Sequence, residues 1–450
     1  MKRERYEVCV AGGGVSGAAA AIAAARMGAN TILIEKSGCL GGSLTVCGVG
    51  PMMTFFLGEK QVIGGIAQEI VERLIAAGKS CGHVKDTTCY VSYVTPFSAE
   101  GLKVVLDQLA EEAGVTVLFH TMAAETVLEE NQIKRIKICN CEGISEIEAE
   151  IFIDATGDGD LAYFGGLPMI HGRTGDHLTQ PMTMNMKYCN VDMERLRQHI
   201  LEHIEEFPRL RGKEELIQSG LPLSVAGFSN ELRMAIDAGN VTIPREEVLF
   251  FETDRAGEVI VNTTRVVGHD PVDAGSLSRA EREGRKQCVE LDHFLREWVP
   301  GFSDALLEFT GPEIGVRSSR QLKSVYMLTA EDILEGKAFD SAICRNAYPI
   351  DIHNPNGAGT DTSFVAQKSG CYEIPYETLY SEATKNLLAA GRCIGADFEA
   401  QAAIRTTPCA FAIGQAAGTA AALCVQKRCS VQQLDGREVR AELSKHGAFL

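Results

Sequence analysis

The first forty residues alternate between apolar runs and breaks. Residues 6–11 are a short apolar run, residues 12–17 are dominated by glycine, and residues 15–27 are rich in alanine with no breaker after Gly17. Gly28-Ala29-Asn30 interrupts, and residues 31–34 are apolar again before Glu35-Lys36. The pattern predicts strand, turn, helix and strand within about thirty residues, the opening of a doubly wound parallel sheet. Residues 37–51 read as a glycine-rich loop of low charge. A helix is expected over 66–77, with Ile66, Ile70, Leu74 and Ile75 on one side. A second is expected over 98–113, capped by Ser98, with Leu102, Val105, Leu106 and Leu109 as its apolar face. Strands follow at 115–119, 126–128, 133–138 and 147–153, the last three reading as a small insertion that returns to the main sheet.

From about residue 167 to 376 the texture is more charged. Residues 248–267 predict a hairpin turning at 254–257, and residues 277–299 a long amphipathic helix stopped by Pro300-Gly301. After Asn386 the glycine and alanine texture returns, with a strand entering a turn at 387–391 and a helix over 410–425. These shifts predict an α/β protein with a Rossmann-like nucleotide-binding domain made of both chain ends. Residues 1–166 and 377–450 form that domain, and an α+β substrate domain, 167–376, is inserted between them. A separate C-terminal unit is the alternative.

Composition narrows the function. Lys and Arg number 43 against 60 Asp and Glu, a net charge of −17, which disfavours nucleic acid as a partner and with it a tRNA-modifying role. The hydrophobic share of 45% and charged share of 23% are those of a folded globular chain. Fifteen scattered cysteines without a secretion signal fit a reduced, intracellular protein. The apolar stretch 410–425 contains Gln415 and is mostly Ala and Gly, short of a membrane span. A cytoplasmic protein with no membrane association is expected.

Gly12-Gly13-Gly14-Val15-Ser16-Gly17 fits G-x-G-x-x-G in the required context, after a strand and opening a helix. Gly12 permits the tight turn, Gly14 lets backbone approach a pyrophosphate, and Gly17 lets helix and strand pack. Glu35, eighteen residues after Gly17, can bind ribose hydroxyls and disfavours a 2′-phosphate.

Three further segments separate FAD from NAD by resemblance. Glu35-Lys36 followed by Leu40-Gly41-Gly42-Ser43 and Thr45 looks like the second phosphate loop of flavoproteins. Asp154-Ala155-Thr156-Gly157-Asp158-Gly159-Asp160 resembles their "ATG" segment. Residues 386–392, Arg405 and residues 412–418 resemble the C-terminal flavin-binding strand and helix. Together with residues 316–320 and 348–353, they resemble the FAD-dependent oxidoreductase family related to the flavin subunit of heterodisulfide reductase. The resemblance implies a glutathione-reductase-type FAD-binding domain. Gly12, Gly14, Val15, Ser16 and Gly17 would hold the pyrophosphate, and Glu35 the adenosine ribose. Lys36, Gly42 and Ser43 would lie along the phosphates and ribityl chain, and Ala123 would offer backbone to adenine. Ala155, Thr156, Gly157 and Gly391 would pack beside the cofactor. The last helix would start near Gly414-Gln415 and point at the flavin pyrimidine edge. Arg392 stands where many flavoproteins carry a ribityl-binding Asp.

No second nicotinamide-binding fingerprint is visible, so electrons would come from the substrate or from an external donor or acceptor protein. No cysteine spacing matches a flavin-linked disulfide or an iron–sulfur ligand set, and no metal is expected. Cys47, in the loop expected near the flavin, reads as a buried structural thiol. His353, two residues after Asp351, is a candidate for moving a proton near neutral pKa. Arg317, Arg320 and Arg405 are candidates for holding a substrate carboxylate or enolate oxygen. The expected activity is hydride transfer between a small-molecule substrate and flavin N5. The alternative is an electron-transfer flavosubunit of a larger heterodisulfide-reductase-like complex.

Overall fold

Strand β1 (Arg3–Ala11), helix α1 (Val15–Arg26) and strand β2 (Thr31–Ile34) form where the apolar pattern places them. The structure is a computed structural model that describes residues 3–361 and 370–450. Thr116–Leu118, β2, β1 and Gly143–Asp154 lie side by side, all parallel. Val8, Cys9 and Val10 are wholly buried, as expected for a parallel sheet covered on both faces.

At Gly143–Asp154 the sheet divides. The first half of this strand pairs antiparallel with Gln132–Asn140, which pairs in turn with Met122–Glu129. Its last three residues pair parallel with Leu387–Ala389. The meander expected as an insertion is therefore the edge of the main sheet, and its first strand is longer than the predicted 126–128. Asn386 seals the seam. Its amide accepts from the Ile133 N–H at 2.8 Å and donates to the carbonyls of Ile133 and Glu150 at 2.9 and 3.0 Å.

Helices α2 (Gly65–Ala76) and α3 (Ala99–Ala113) agree with the periodicity, and the Ser98 hydroxyl accepts from the Gly101 N–H as the expected cap. The long C-terminal helix spans Thr407–Lys427, with Pro408 in its first turn. This corrects the expected start near Gly414-Gln415, which lie two turns inside it. Instead, Gly414 and Gly418 let it cross α1 at backbone distance. A Cβ at either position would overlap the carbonyl of Ser16 or Ala20. Among the described residues it is the one helix long and apolar enough to cross a membrane, yet it is mostly buried within the fold.

The middle of the chain builds an antiparallel sheet in the order Ser224–Gly227, Val248–Glu252, Val259–Val261, Met186–Cys189, Leu306–Thr310. It packs with helix Ala274–Trp298 around a core of its own, from Met182 to Ile314. Apolar side chains from Leu322 to Ile352 and from Tyr372 to Tyr376, expected with the middle, instead join the first core.

Gly418→Val is expected to lower stability by about 1–3 kcal/mol through overpacking at the helix crossing. Urea unfolding of the variant against the parent chain checks this.

Candidate functional site

Helix α1 begins with Gly14 as its N-cap, no side chain caps it, and its first turn holds no acid. Its free N–H groups and positive end therefore face outward to an anion. The fingerprint glycines divide by what surrounds them. Gly12 has φ +95° and a Cβ there would lie 2.5 Å from the Ala155 carbonyl oxygen. At Gly17 a Cβ would overlap the Gly12 carbonyl. At Gly14 the nearest atom to a Cβ is the Gly42 Cα, 4.0 Å away. Gly12 and Gly17 thus serve packing, whereas Gly14 faces open space between two glycine loops, a cradle that fits a pyrophosphate.

Glu35 is buried at the end of β2, where its carboxylate accepts from the Gly13 N–H at 2.5 Å and the Ser37 N–H at 2.7 Å. The Thr121 N–H donates to the Glu35 carbonyl, which brings Ala123 and its strand beside this end. Gly42 and Ser43 form the single turn Gly42–Leu44. Lys36 is paired with Glu313 of the middle region at 2.8 Å.

The turn after Gly143–Asp154 closes the same cleft. The Ala155 N–H donates to the Ala11 carbonyl, and the Thr156 hydroxyl donates to Asp154 and accepts from the Asp160 N–H. Gly157 (φ +81°) lies against the Arg392 guanidinium, and Gly391 (φ +85°) against Ser16 Oγ. Ser16 donates to the Ala410 carbonyl of the long helix at 2.8 Å, and Val15 is buried beside it. Arg392 binds Asp158 at 2.6 Å and the Val316 carbonyl at 3.1 Å. Its Nε is buried with no partner among the described residues. Gln415 does not reach this cleft through its amide, which accepts from the Ile66 N–H and donates to the His446 carbonyl.

A second cluster lies between the middle sheet and the start of the long helix. Asp351 is buried and receives three donors: the Tyr348 hydroxyl at 3.0 Å, Arg405 Nη2 at 3.2 Å and His353 Nε2 at 3.3 Å. Arg265 Nη1 lies 3.3 Å from His353 Nδ1. A guanidinium only donates, so Nδ1 accepts and the proton sits on Nε2. Burial and Arg317 push the ring down to about 3, against the pull of Asp351. The near-neutral histidine expected from the sequence is therefore a neutral imidazole with both nitrogens engaged. Burial would raise the Asp351 carboxyl, but His353, Arg405 and Arg317 hold it well below the usual range.

Arg317 donates to the Pro181 carbonyl at 2.5 Å, and its own carbonyl accepts from Gln401. Arg405 immediately precedes Thr406, the N-cap of the long helix. Arg320 is set apart. It binds the Asp158 carbonyl and Asp160 and stacks over Tyr163 at 4.0 Å, a tie between strand Arg320–Leu322 and the turn after Asp154. Arg245 and Arg265 join this cluster without standing in any motif of the sequence. They are distant in sequence from the other arginines, and the only trace is Arg265 standing between the apolar pieces 259–261 and 266–267.

Cys47, read from the sequence as buried, is half-buried, and its surroundings push its thiol up to about 12. No cysteine spacing suggested the pair the fold brings together, Cys344 and Cys409, buried with their sulfurs 3.8 Å apart.

The sequence profile of the FAD dependent oxidoreductase family matches residues 7–443, and the chain belongs to that family. Its cofactor is FAD, and the chain is an FAD-dependent oxidoreductase. No curated protein matches it. Among solved structures, it is similar to a geranylgeranyl bacteriochlorophyll reductase-like protein from Thermoplasma acidophilum. That match has 14% identity and a TM-score of 0.50, covering 99% of this chain and 85% of the other. A flavoprotein/dehydrogenase from Cytophaga hutchinsonii matches at 12% identity and TM-score 0.47, covering 98% and 82%. An L-proline dehydrogenase from P. horikoshii matches at 12% identity and TM-score 0.46, covering 98% and 99%. The first of these shows a shared fold.

His353 supplies a pH test. Its native pKa lies below the unfolded value of about 6.5, so the unfolded chain binds the extra proton between them. The stabilisation is complete above about pH 6.5 and falls as pH drops toward 3. Between pH 7.5 and pH 5 this ring should cost about 1–2 kcal/mol. Unfolding titrations at the two pH values should show a smaller loss in His353→Gln.

Proposed function

We propose that the protein moves a hydride between a small-molecule substrate and flavin N5. In this reading FAD lies extended between the two chain ends and the substrate meets it below the middle sheet. The cleft of glycine backbones around Gly14, closed by Gly157 and Gly391, is the observation that carries this reading. When bound, FAD supplies the two-electron redox centre. The residues of the chain do the rest. The N-terminus of α1 and the Gly14 backbone bind the pyrophosphate, and Glu35 orients the adenosine ribose beside Ala123. Gly42, Ser43 and Lys36 line the adjoining loop, while Ala155, Thr156 and Gly157 close the opposite wall. Asp158, held by Arg392, supplies a carboxylate on the ribityl side that Arg392 itself does not.

The start of the long helix at Thr406, rather than Gly414-Gln415, is the positive end aimed at the flavin pyrimidine edge, where reduced flavin gathers negative charge. Its first turn holds no acid, which supports that role. Arg317 and Arg405 hold the substrate, and Arg320 fixes the wall from behind. His353 is the proton carrier. Burial is the main cause of its lowered pKa and Arg317 the next, so a negative charge placed on Arg317 shifts the ring back upward and favours proton uptake.

The frame is that of a glutathione-reductase-type FAD domain with an inserted α+β substrate domain. Kinship with the flavin subunit of heterodisulfide reductase extends to that cofactor frame. We place the enzyme in the cytoplasm, with a small substrate and an external electron donor or acceptor and without nucleic acid or membrane.

Purified protein should show flavin absorbance, with FAD released on heating and identified by mass. Gly14→Val should fold with an unchanged apoprotein melting temperature, since a Cβ there meets open space, yet lose FAD occupancy about tenfold or more. Normal flavin content in that variant would sink the assignment.

A further inference from the structure

Positive charge gathers in one part of this acidic protein without matching acids. Among the described side chains, Arg245, Arg265, Arg317 and Arg405 gather around one buried carboxylate, Asp351, between the middle sheet and the start of the long helix. Two backbone pairings bring them together. Met182 bridges Val266, and Thr183 bridges Gly315, so the segments carrying Pro181, Arg265 and Arg317 run side by side. The Gln180 N–H donates to Ser318 Oγ at 2.8 Å and continues this pairing. Arg245 reaches the same place from the next turn of the chain, where it donates to the Asn262 carbonyl at 3.3 Å.

The four are not equivalent. Arg265, 1% exposed, spends its guanidinium on the carbonyls of Asn354, Gly357 and Gly359 and on His353. It is a structural strut, and burial pushes it down to about 10. The other three have capacity to spare. Arg317 has one carbonyl partner and no carboxylate within ion-pair distance among the described residues. Arg245 likewise has one carbonyl partner, and its Nε is buried and unpartnered among those residues. Arg405 reaches Asp351 through Nη2 alone, and its Nε is buried and unpartnered in the same sense.

The neighbouring acids do not fill the gap. Glu246 is exposed, and Glu247 is paired with Arg209 at 2.8 Å. Tyr90 and Tyr348, packed edge to face at 5.7 Å, stay protonated because burial raises both. His353 is neutral. Burial above all, and then Arg405 and Arg245, push the Arg317 guanidinium well below its usual value. Among the described side chains, four cations against one anion in a half-dry site cost free energy unless further negative charge arrives. Guanidinium forks match planar oxyanion groups, and the unspent N–H groups here are those such a group would take.

We infer that Arg245, Arg317 and Arg405 form an anion-binding site, and that the substrate is a small organic dianion held by its carboxylate or phosphate oxygens. The inference takes the flavoenzyme reading above as its frame and adds the charge of what the enzyme acts on. The place of the site supports it. Arg405 adjoins the N-cap of the long helix, and Val316, next to Arg317, accepts from Arg392 at the cofactor cleft.

The test is a titration of the FAD-loaded protein with malonate, inorganic phosphate and uncharged malonamide at constant ionic strength. It is read by the flavin difference spectrum and by the melting temperature. Saturable perturbation by malonate or phosphate, with none by malonamide, is expected. Competition between the two anions ranks carboxylate against phosphate. Arg317→Lys and Arg405→Lys keep the charge but lose the fork, and each should weaken the anion about tenfold with FAD still bound. The inference is overturned if neither anion perturbs the wild-type holoprotein at tens of millimolar. Undiminished binding in variants that retain FAD also overturns it. Purified protein without FAD would instead overturn the flavoenzyme reading, and the melting-temperature arm on that protein would still judge the anion site.

Discussion

Helix α1 and the helix Thr407–Lys427 touch backbone to backbone, and the cofactor cleft depends on that contact. The crossing requires side chains that are nearly absent on both surfaces, which is why residues 15–24 and 407–424 are dominated by Ala and Gly. Alanine on alanine gains little per residue, yet the close approach removes both helices from water almost completely and packs them densely. With the crossing fixed, Ser16 locks onto the Ala410 carbonyl. Gly391 then closes over Ser16, and strand Leu387–Ala389 completes the sheet beside Gly143–Asp154. The phosphate loop, the turn after Asp154 and the start of the long helix are thus positioned by one contact.

Charge is distributed against the overall balance. A chain with a net charge of −17 keeps its surface acidic and gathers unmatched arginines inside. Its outer field opposes an approaching anion, while the interior site favours one at short range. Selectivity in such an arrangement comes from geometry at the end of the path rather than from long-range steering.

The sequence disclosed most of the nucleotide-binding frame because that frame is local. A turn followed by a helix needs glycine at fixed spacing, so Gly12, Gly14 and Gly17 could be read directly. The roles within the motif could not. Whether Gly14 faces open space depends on Gly42, and that is a tertiary fact. The start of the long helix is not legible in the sequence, because Gly414 sits in an Ala-rich run where a helix-packing glycine and a helix-starting glycine look alike. The charge of residues 322–376 groups them with the middle, yet apolar side chains of 322–352 and 372–376 join the first core. The arginine cluster was half visible. Arg317 and Arg405 stood in recognised segments, but Arg245 and Arg265 meet them only through strand pairing. The spacing of His353 to Asp351 is local, and the fold brings the two side chains within 3.3 Å, whereas the charge state of His353 depends on burial and on arginines from other segments.

The helix crossing also sets the order in which the molecule can be built. Ser16 leaves the ribosome early and its partner Ala410 follows 394 residues later. At ~5–20 residues per second that interval is roughly 20–80 s. Through that time the alanine face of α1 has no native cover, and the central sheet lacks the strand that seals its seam. The middle sheet, whose buried core draws on residues 182–314, can condense meanwhile. The nucleotide cleft becomes complete only when the last helix docks, so cofactor loading belongs to the end of synthesis. A nascent chain stalled before residue 407 would present an unpaired apolar surface to chaperones and proteases.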